Sequence, residues 1–165
     1  MPESTTGETE SNCFGCAPRN PIGLHLDFER HGDVFSTRVK LGTDYESFPG
    51  VVHGGIVASI LDETLAQAVY RSGRVSAFTT GLRIRYARPM ETDTEHTAHA
   101  EIVKRDDISV RASGRVETGD GEIVAVADGT FYLLTDDVLG QNSERIPAEL
   151  IKVLRSANGR APQGD

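Results

Sequence analysis

The segment from Gly54 to about Tyr70 constrains the fold of this chain more than any other. Val57, Leu61, Leu65 and Ala68 recur at helical spacing, and Ile56, Ile60 and Val69 widen the stripe until most of the circumference is apolar. At 1.5 Å per residue the helix is about 25 Å long, and Ser72-Gly73 ends it. No other long helix precedes the C-terminal tail, so what buries this one must come from segments of a different period.

Those segments read as strands. Leu24, Leu26 and Phe28 alternate with polar residues, and Val34 to Leu41 follows the Gly32-Asp33 turn, which predicts a first hairpin. After the helix come Phe78 to Ala87, Thr94 to Lys104, Ile108 to Glu117 and Glu122 to Leu134, expected to form an antiparallel meander. Ala112 and Gly114 on one strand, with Ala125, Ala127 and Gly129 on the next, leave room for a helix to approach closely. The expectation is an α+β fold, a curved antiparallel sheet of about six strands wrapped round one long central helix.

The ends read differently. Residues 1–11 lack apolar periodicity and are expected to form a disordered arm, with one domain over residues 12–135. Residues 136–165 read as a polar linker, a short helix over Pro147 to Arg155, and a tail. The chain of 165 residues suits a single domain. Its net charge of −8 argues against nucleic acid as a partner. No apolar run approaches a membrane span and no secretory signal pattern is seen, so the cytoplasm is the expected compartment.

The start of the helix carries the chemistry. His53-Gly54-Gly55 stands where a Ser, Thr, Asp or Asn cap is usual, so the Gly54 and Gly55 N–H groups are expected to be free to bind an oxyanion. The competing reading is a glycine pair needed only for chain passage. Asp62 sits mid-helix between Ala58 and Ala66, a costly place for a carboxylate unless it is paired or used. Gly54 and Asp62 are about 12 Å apart along the axis, too far to act on one small carbonyl. If both act, each needs a partner from a second chain, which predicts a site across a dimer interface.

HGGIVASILDE, together with CFGCAPRNPIGL and RYARP, resembles the hot-dog-fold acyl-CoA thioesterases of the phenylacetyl-CoA thioesterase type. The resemblance runs from Cys13 to Leu134. It implies Asp62 as base or nucleophile, Gly54 as the donor polarising the thioester carbonyl, His53 as a residue setting that loop, and Thr79 as the group orienting water. Gly55 and Thr80 are expected beside the substrate. The resemblance further implies an acyl-CoA ligand, a homodimer or dimer of dimers, and no metal or redox cofactor. The loop before His53 lacks the Asn or Gln of some relatives, and Ala17 replaces a usual glycine. An enoyl-CoA hydratase or dehydratase, and a non-catalytic acyl-CoA-binding protein, are the alternatives.

Arg88 and Arg105, at strand ends, are candidates for the CoA phosphates, whereas Arg83 and Arg85 suit a solvated strand face equally well. Glu63 lies about 100° round the helix from Asp62, so the two carboxylates cannot address one atom, and it reads as structural or as a support to the site. Cys13 and Cys16 have zinc-ligand spacing but lack further ligands, with His25 and His31 only loose candidates, so they read as reduced thiols in a turn near the pocket mouth. His31, His96 and His99 receive no role.

Overall fold

The computed structural model describes residues 11–159. The expected arm over residues 1–11 therefore lies, except for Ser11, outside the described residues, as does the tail from residue 160. The long helix, α1, spans Gly54–Gly73. It ends where Arg74 turns left-handed at φ 53° and donates its N–H to Tyr70 O. Val57, Ile60, Leu61, Leu65, Ala68 and Val69 are all buried, as the periodicity requires.

Six strands cover it: β1 (Glu29–His31), β2 (Val34–Val39), β5 (Ala77–Tyr86), β6 (His96–Arg105), β7 (Ser109–Thr118) and β8 (Ile123–Leu133). A separate small hairpin, β3 (Glu46–Phe48) with β4 (Val51–Val52), precedes α1 and was not foreseen. The main sheet is antiparallel throughout, in the order β1-β2-β6-β7-β8-β5. The expected four-strand meander is thus corrected: β6, β7 and β8 are sequential neighbours, but β5 lies beyond β8 at the far edge. Having crossed the sheet, α1 delivers the chain to that edge. The return to β6 is tied down by Val52 N–H to Met90 O at 2.9 Å and Asp93 N–H to Leu41 O at 2.8 Å.

The first hairpin is also shorter than expected. Leu24, Leu26 and Phe28 are buried as their alternation implied, yet they precede β1. His25 takes φ 52°, and the Leu24 and Leu26 N–H groups bond to Phe14 O and Gly15 O instead of to a strand. At the centre of the sheet two glycines set the packing distance. A Cβ on Gly114 would fall 2.7 Å from His99 O, and one on Gly129 would fall 2.7 Å from the Phe131 ring and 3.1 Å from Leu65.

The C-terminal region is more ordered than a linker. Thr135 caps α2 (Asp136–Gln141) by accepting from Val138 N–H, with Asp136 and Asp137 in its first turn. Then α3 (Ala148–Ala157) begins after Pro147. Leu134, Leu139 and Ile151 form their own small core. Asn158 binds both Ser76 N–H and Leu134 O at 2.9 Å, which fastens the chain beyond α3 to the entry and exit of the sheet.

Candidate active site

Asp62 is half-buried in the single chain, on the side of α1 that meets the edge strand β5. The Thr79 hydroxyl donates to Asp62 Oδ1 at 2.8 Å. A bulge makes this contact. Along a regular strand Thr79 would face opposite to Leu82, Ile84 and Tyr86. The register of β5 against β8 shifts between Thr79 and Gly81, which brings Thr79 onto the helix side with the other three. Thr80 occupies the extra position, and its hydroxyl donates to Thr130 O at 3.1 Å. Gly81 is the sequence signal for this bulge.

At the other end of the same edge, His53 itself caps the helix. Its Nδ1 accepts from Gly55 N–H at 2.9 Å, which corrects the expectation of two free donors. The Gly54 N–H has no hydrogen-bond partner among the described residues. A residue missed by sequence reasoning, Tyr86, holds this turn: its hydroxyl donates to Gly54 O at 2.8 Å. The only hint was its place in RYARP.

The structure therefore brings together two pairs, Asp62 with Thr79 and Gly54 with Tyr86, both where α1 meets β5. It does not bring the pairs together with each other. Two surface hollows, of about 370 and 280 Å³, lie against the sheet strands and include none of these four residues. Arg83 lines the first with Arg111 and Asp128, and Arg85 lines the second.

The two arginine candidates are engaged elsewhere. Arg88 forms an ion pair with Glu122. Arg105 reaches the C-terminal end of α1, where Nη2 donates to Val69 O at 3.1 Å and Ser72 Oγ at 3.0 Å. That position complements the negative end of the helix and is at the opposite end from Gly54.

Cys13 and Cys16 lie against α1, half-buried and unbridged. A hydrogen bond from Cys16 and the nearby backbone N–H groups of Cys16 and Gly15 lower the Cys13 thiol to about 6, while Cys16 is pushed upward by that same pairing and by burial. Since the thiolate is the reactive form, alkylation of metal-free protein by iodoacetamide should modify Cys13 first, with a half-maximal rate near pH 6. Peptide mapping across a pH series checks this; equal modification of both thiols with a midpoint near 9 would contradict it.

A sequence profile of the thioesterase superfamily matches residues 49–125, a span that includes His53, Gly54, Asp62 and Thr79 but not the cysteines. The human acyl-coenzyme A thioesterase THEM5 is 30% identical over 94 residues, which are 56% of this chain and 38% of that protein. A solved thioesterase superfamily protein matches with a TM-score of 0.65 at 28% identity, covering 71% of this chain and 61% of that one. The BH2602 protein of Bacillus halodurans, solved with CoA, matches with a TM-score of 0.55 at 36% identity, covering 59% of this chain and 70% of that one. The chain thus spans less than two thirds of both THEM5 and the first of these structures. With its six-stranded antiparallel sheet around one long helix the chain has the hot-dog fold, and the span that carries His53-Gly54-Gly55 and Asp62 is the one similar to the thioesterase superfamily profile.

Proposed function

We propose that this chain is an acyl-CoA thioesterase whose active site is completed across a homodimer, which can pair further into a dimer of dimers. The observation that carries the reading is the presence of an Asp62–Thr79 pair and an unpartnered Gly54 N–H along one open edge. That edge is β5, ten residues long, with Phe78 half exposed at one end and Tyr86 half exposed at the other. Open edges of this length ordinarily find a partner strand. Antiparallel pairing of two β5 strands about a two-fold axis near Leu82 would set the Thr79 end of one strand beside the Tyr86 end of the other. Asp62 of one subunit would then face the partner subunit's Gly54. The similarity to THEM5 and to a protein solved with CoA supports the substrate class.

In that arrangement the Gly54 N–H holds the oxygen of the thioester carbonyl at the positive end of α1. Asp62 takes a proton from water while the water oxygen attacks the carbonyl carbon. The C–S bond then breaks, CoA leaves as the thiolate and takes up the proton, and the carboxylic acid remains. Alternatively the Asp62 carboxylate attacks directly, CoA leaves, and water cleaves the resulting anhydride. Single turnover in ¹⁸O-water detects the second route where water attacks the Asp62 carboxyl carbon of the anhydride, because only that cleavage puts label into Asp62. Thr79 orients the carboxylate in both, and no metal or redox cofactor has a part in either.

Thr79→Ala removes one hydrogen bond to a charged oxygen and should lower kcat about 10- to 100-fold with KM little changed. Steady-state kinetics check it, and an unchanged kcat would remove Thr79 from the machinery. The reading as a whole is tested by thiol release from acyl-CoAs of varied chain length and aromaticity. Turnover of at least one is expected. Tight binding without turnover would favour a binding protein, and hydration of crotonyl-CoA without hydrolysis would favour a hydratase; either overturns the proposal. No helix among the described residues is long and apolar enough to cross a membrane. We place the reaction in the cytoplasm, where free thiols such as Cys13 and Cys16 persist.

A further inference from the structure

The geometry points to a binding site for a thiophilic divalent cation, zinc by class, formed by the sulfurs of Cys13 and Cys16 and a carboxylate oxygen of Glu63. This site is separate from the thioesterase reading: its two cysteines lie outside the span matched by the superfamily profile, and only Glu63 lies within it. Sequence spacing offered two thiols and no further ligand; the fold supplies the third from α1. The three donor atoms lie within 4.8 Å of one another, and no other such group occurs among the described residues. His25 and His31, the earlier candidates, bond instead to Asn20 O and Glu29.

The Cys13–Glu63 edge has the length that tetrahedral zinc requires. With Zn–S about 2.3 Å and Zn–O about 2.0 Å, a tetrahedral angle gives an S···O edge of about 3.5 Å and an S···S edge of about 3.8 Å. Cys13 Sγ and Glu63 Oε2 are 3.5 Å apart. The turn is closed by Ala17 N–H to Cys13 O at 3.1 Å, which directs both sulfurs to one side. Gly15 lets this turn press onto the helix, since a Cβ there would fall 2.4 Å from Glu63 Cγ.

A supporting layer is already in place. Gln67 Nε2 donates to Glu63 Oε1 at 2.9 Å and lies 3.6 Å from Cys16 Sγ, so the other oxygen of Glu63 is left towards Cys13. Arg71 Nε donates to Gln67 Oε1 at 3.2 Å, and Arg71 is itself held by Phe28 O at 3.1 Å. This fixes the amide with its NH₂ towards the ligands. Three protein donors leave a fourth position for water or another ligand. Two thiolates select zinc over calcium and magnesium, whose ligands are oxygen. Binding replaces any remaining thiol protons, which are released to solvent.

The test is titration of reduced, metal-free, full-length protein with Co²⁺, followed by displacement with Zn²⁺. The expected result is one Co²⁺ per chain, with a thiolate-to-cobalt charge-transfer absorption and the intense visible bands of tetrahedral cobalt. Cys13→Ser should abolish the charge-transfer band at stoichiometric metal. Gln67→Ala, which removes no ligand, should weaken affinity about 10- to 100-fold. Glu63→Gln should weaken it by at least about 10-fold and alter the visible bands. Circular dichroism of each variant confirms that the fold is kept, and Gln67→Ala supplies the comparison if Cys13→Ser does not fold. A spectrum of hydrated cobalt, a Cys13–Cys16 disulfide that re-forms and excludes the metal, or a Glu63→Gln variant with unchanged affinity and spectrum would overturn the site.

Discussion

Asp62→Asn is expected to lower kcat by about 10²- to 10⁴-fold on the best acyl-CoA, the range associated with losing a positioned general base. The substitution is nearly isosteric, and Asn Oδ1 can still accept the hydrogen bond that the Thr79 hydroxyl now donates at 2.8 Å. What disappears is the negative charge and, with it, both the proton acceptor and the nucleophile. KM should change little, because the carboxylate acts on the reacting atoms and not on the body of CoA. Since Asp62 is half-buried and bonds only at the helix–strand seam, thermal stability should remain close to that of the parent. Initial rates together with a melting curve check both halves of the expectation. A kcat within tenfold of the parent would remove Asp62 from the chemistry.

Gly54→Pro should cost about 10²- to 10³-fold in kcat, the loss seen when one oxyanion donor is deleted. Proline here removes the N–H and little else. Gly54 is the first residue of α1, a position where proline is well tolerated. His53 before it has φ −58° and ψ 134°, the extended conformation that a following proline requires. A Cβ at Gly54 meets only the Tyr86 ring and hydroxyl at 3.7 to 3.8 Å, ordinary contact. The variant should therefore fold with its His53 cap intact and lose transition-state stabilisation selectively. Comparing kcat with circular dichroism of α1 tests this; a fully active Gly54→Pro enzyme would rule out the N–H as the donor.

The parts of the fold carried by long periodic segments were legible in advance. The burial of α1 and the bounds of β5 to β8 follow from alternation and helical spacing, because each segment must hide one face. Strand order was not legible: β5 and β6 are consecutive, and only the crossing of α1 sends β5 past β8. The stretch from Leu24 to Phe28 shows the limit of alternation, which fixes which side chains are buried but not whether the backbone pairs. Asp62 and Gly54 stood out because a mid-helix carboxylate and a glycine start are locally unfavourable. Thr79 came only from family resemblance, since its aim at Asp62 depends on the bulge before Gly81. Tyr86 and the partnership of Glu63 with Cys13 and Cys16 join residues 32 and 50 positions apart, and neither local pattern nor spacing encodes such meetings.

The central claim is that Asp62 and Gly54 act together only when they come from different subunits. Mixing Asp62→Asn and Gly54→Pro subunits, by co-expression or by dissociation and reassociation, tests it most directly. In a mixed dimer one site carries both substitutions and the other carries neither. Random reassortment makes half of the dimers mixed, so activity should recover to about a quarter of the unsubstituted enzyme, far above either variant alone. If the two residues served one site within a single chain, no mixed dimer would hold an intact site, and activity no higher than that of the separate variants would contradict the shared site.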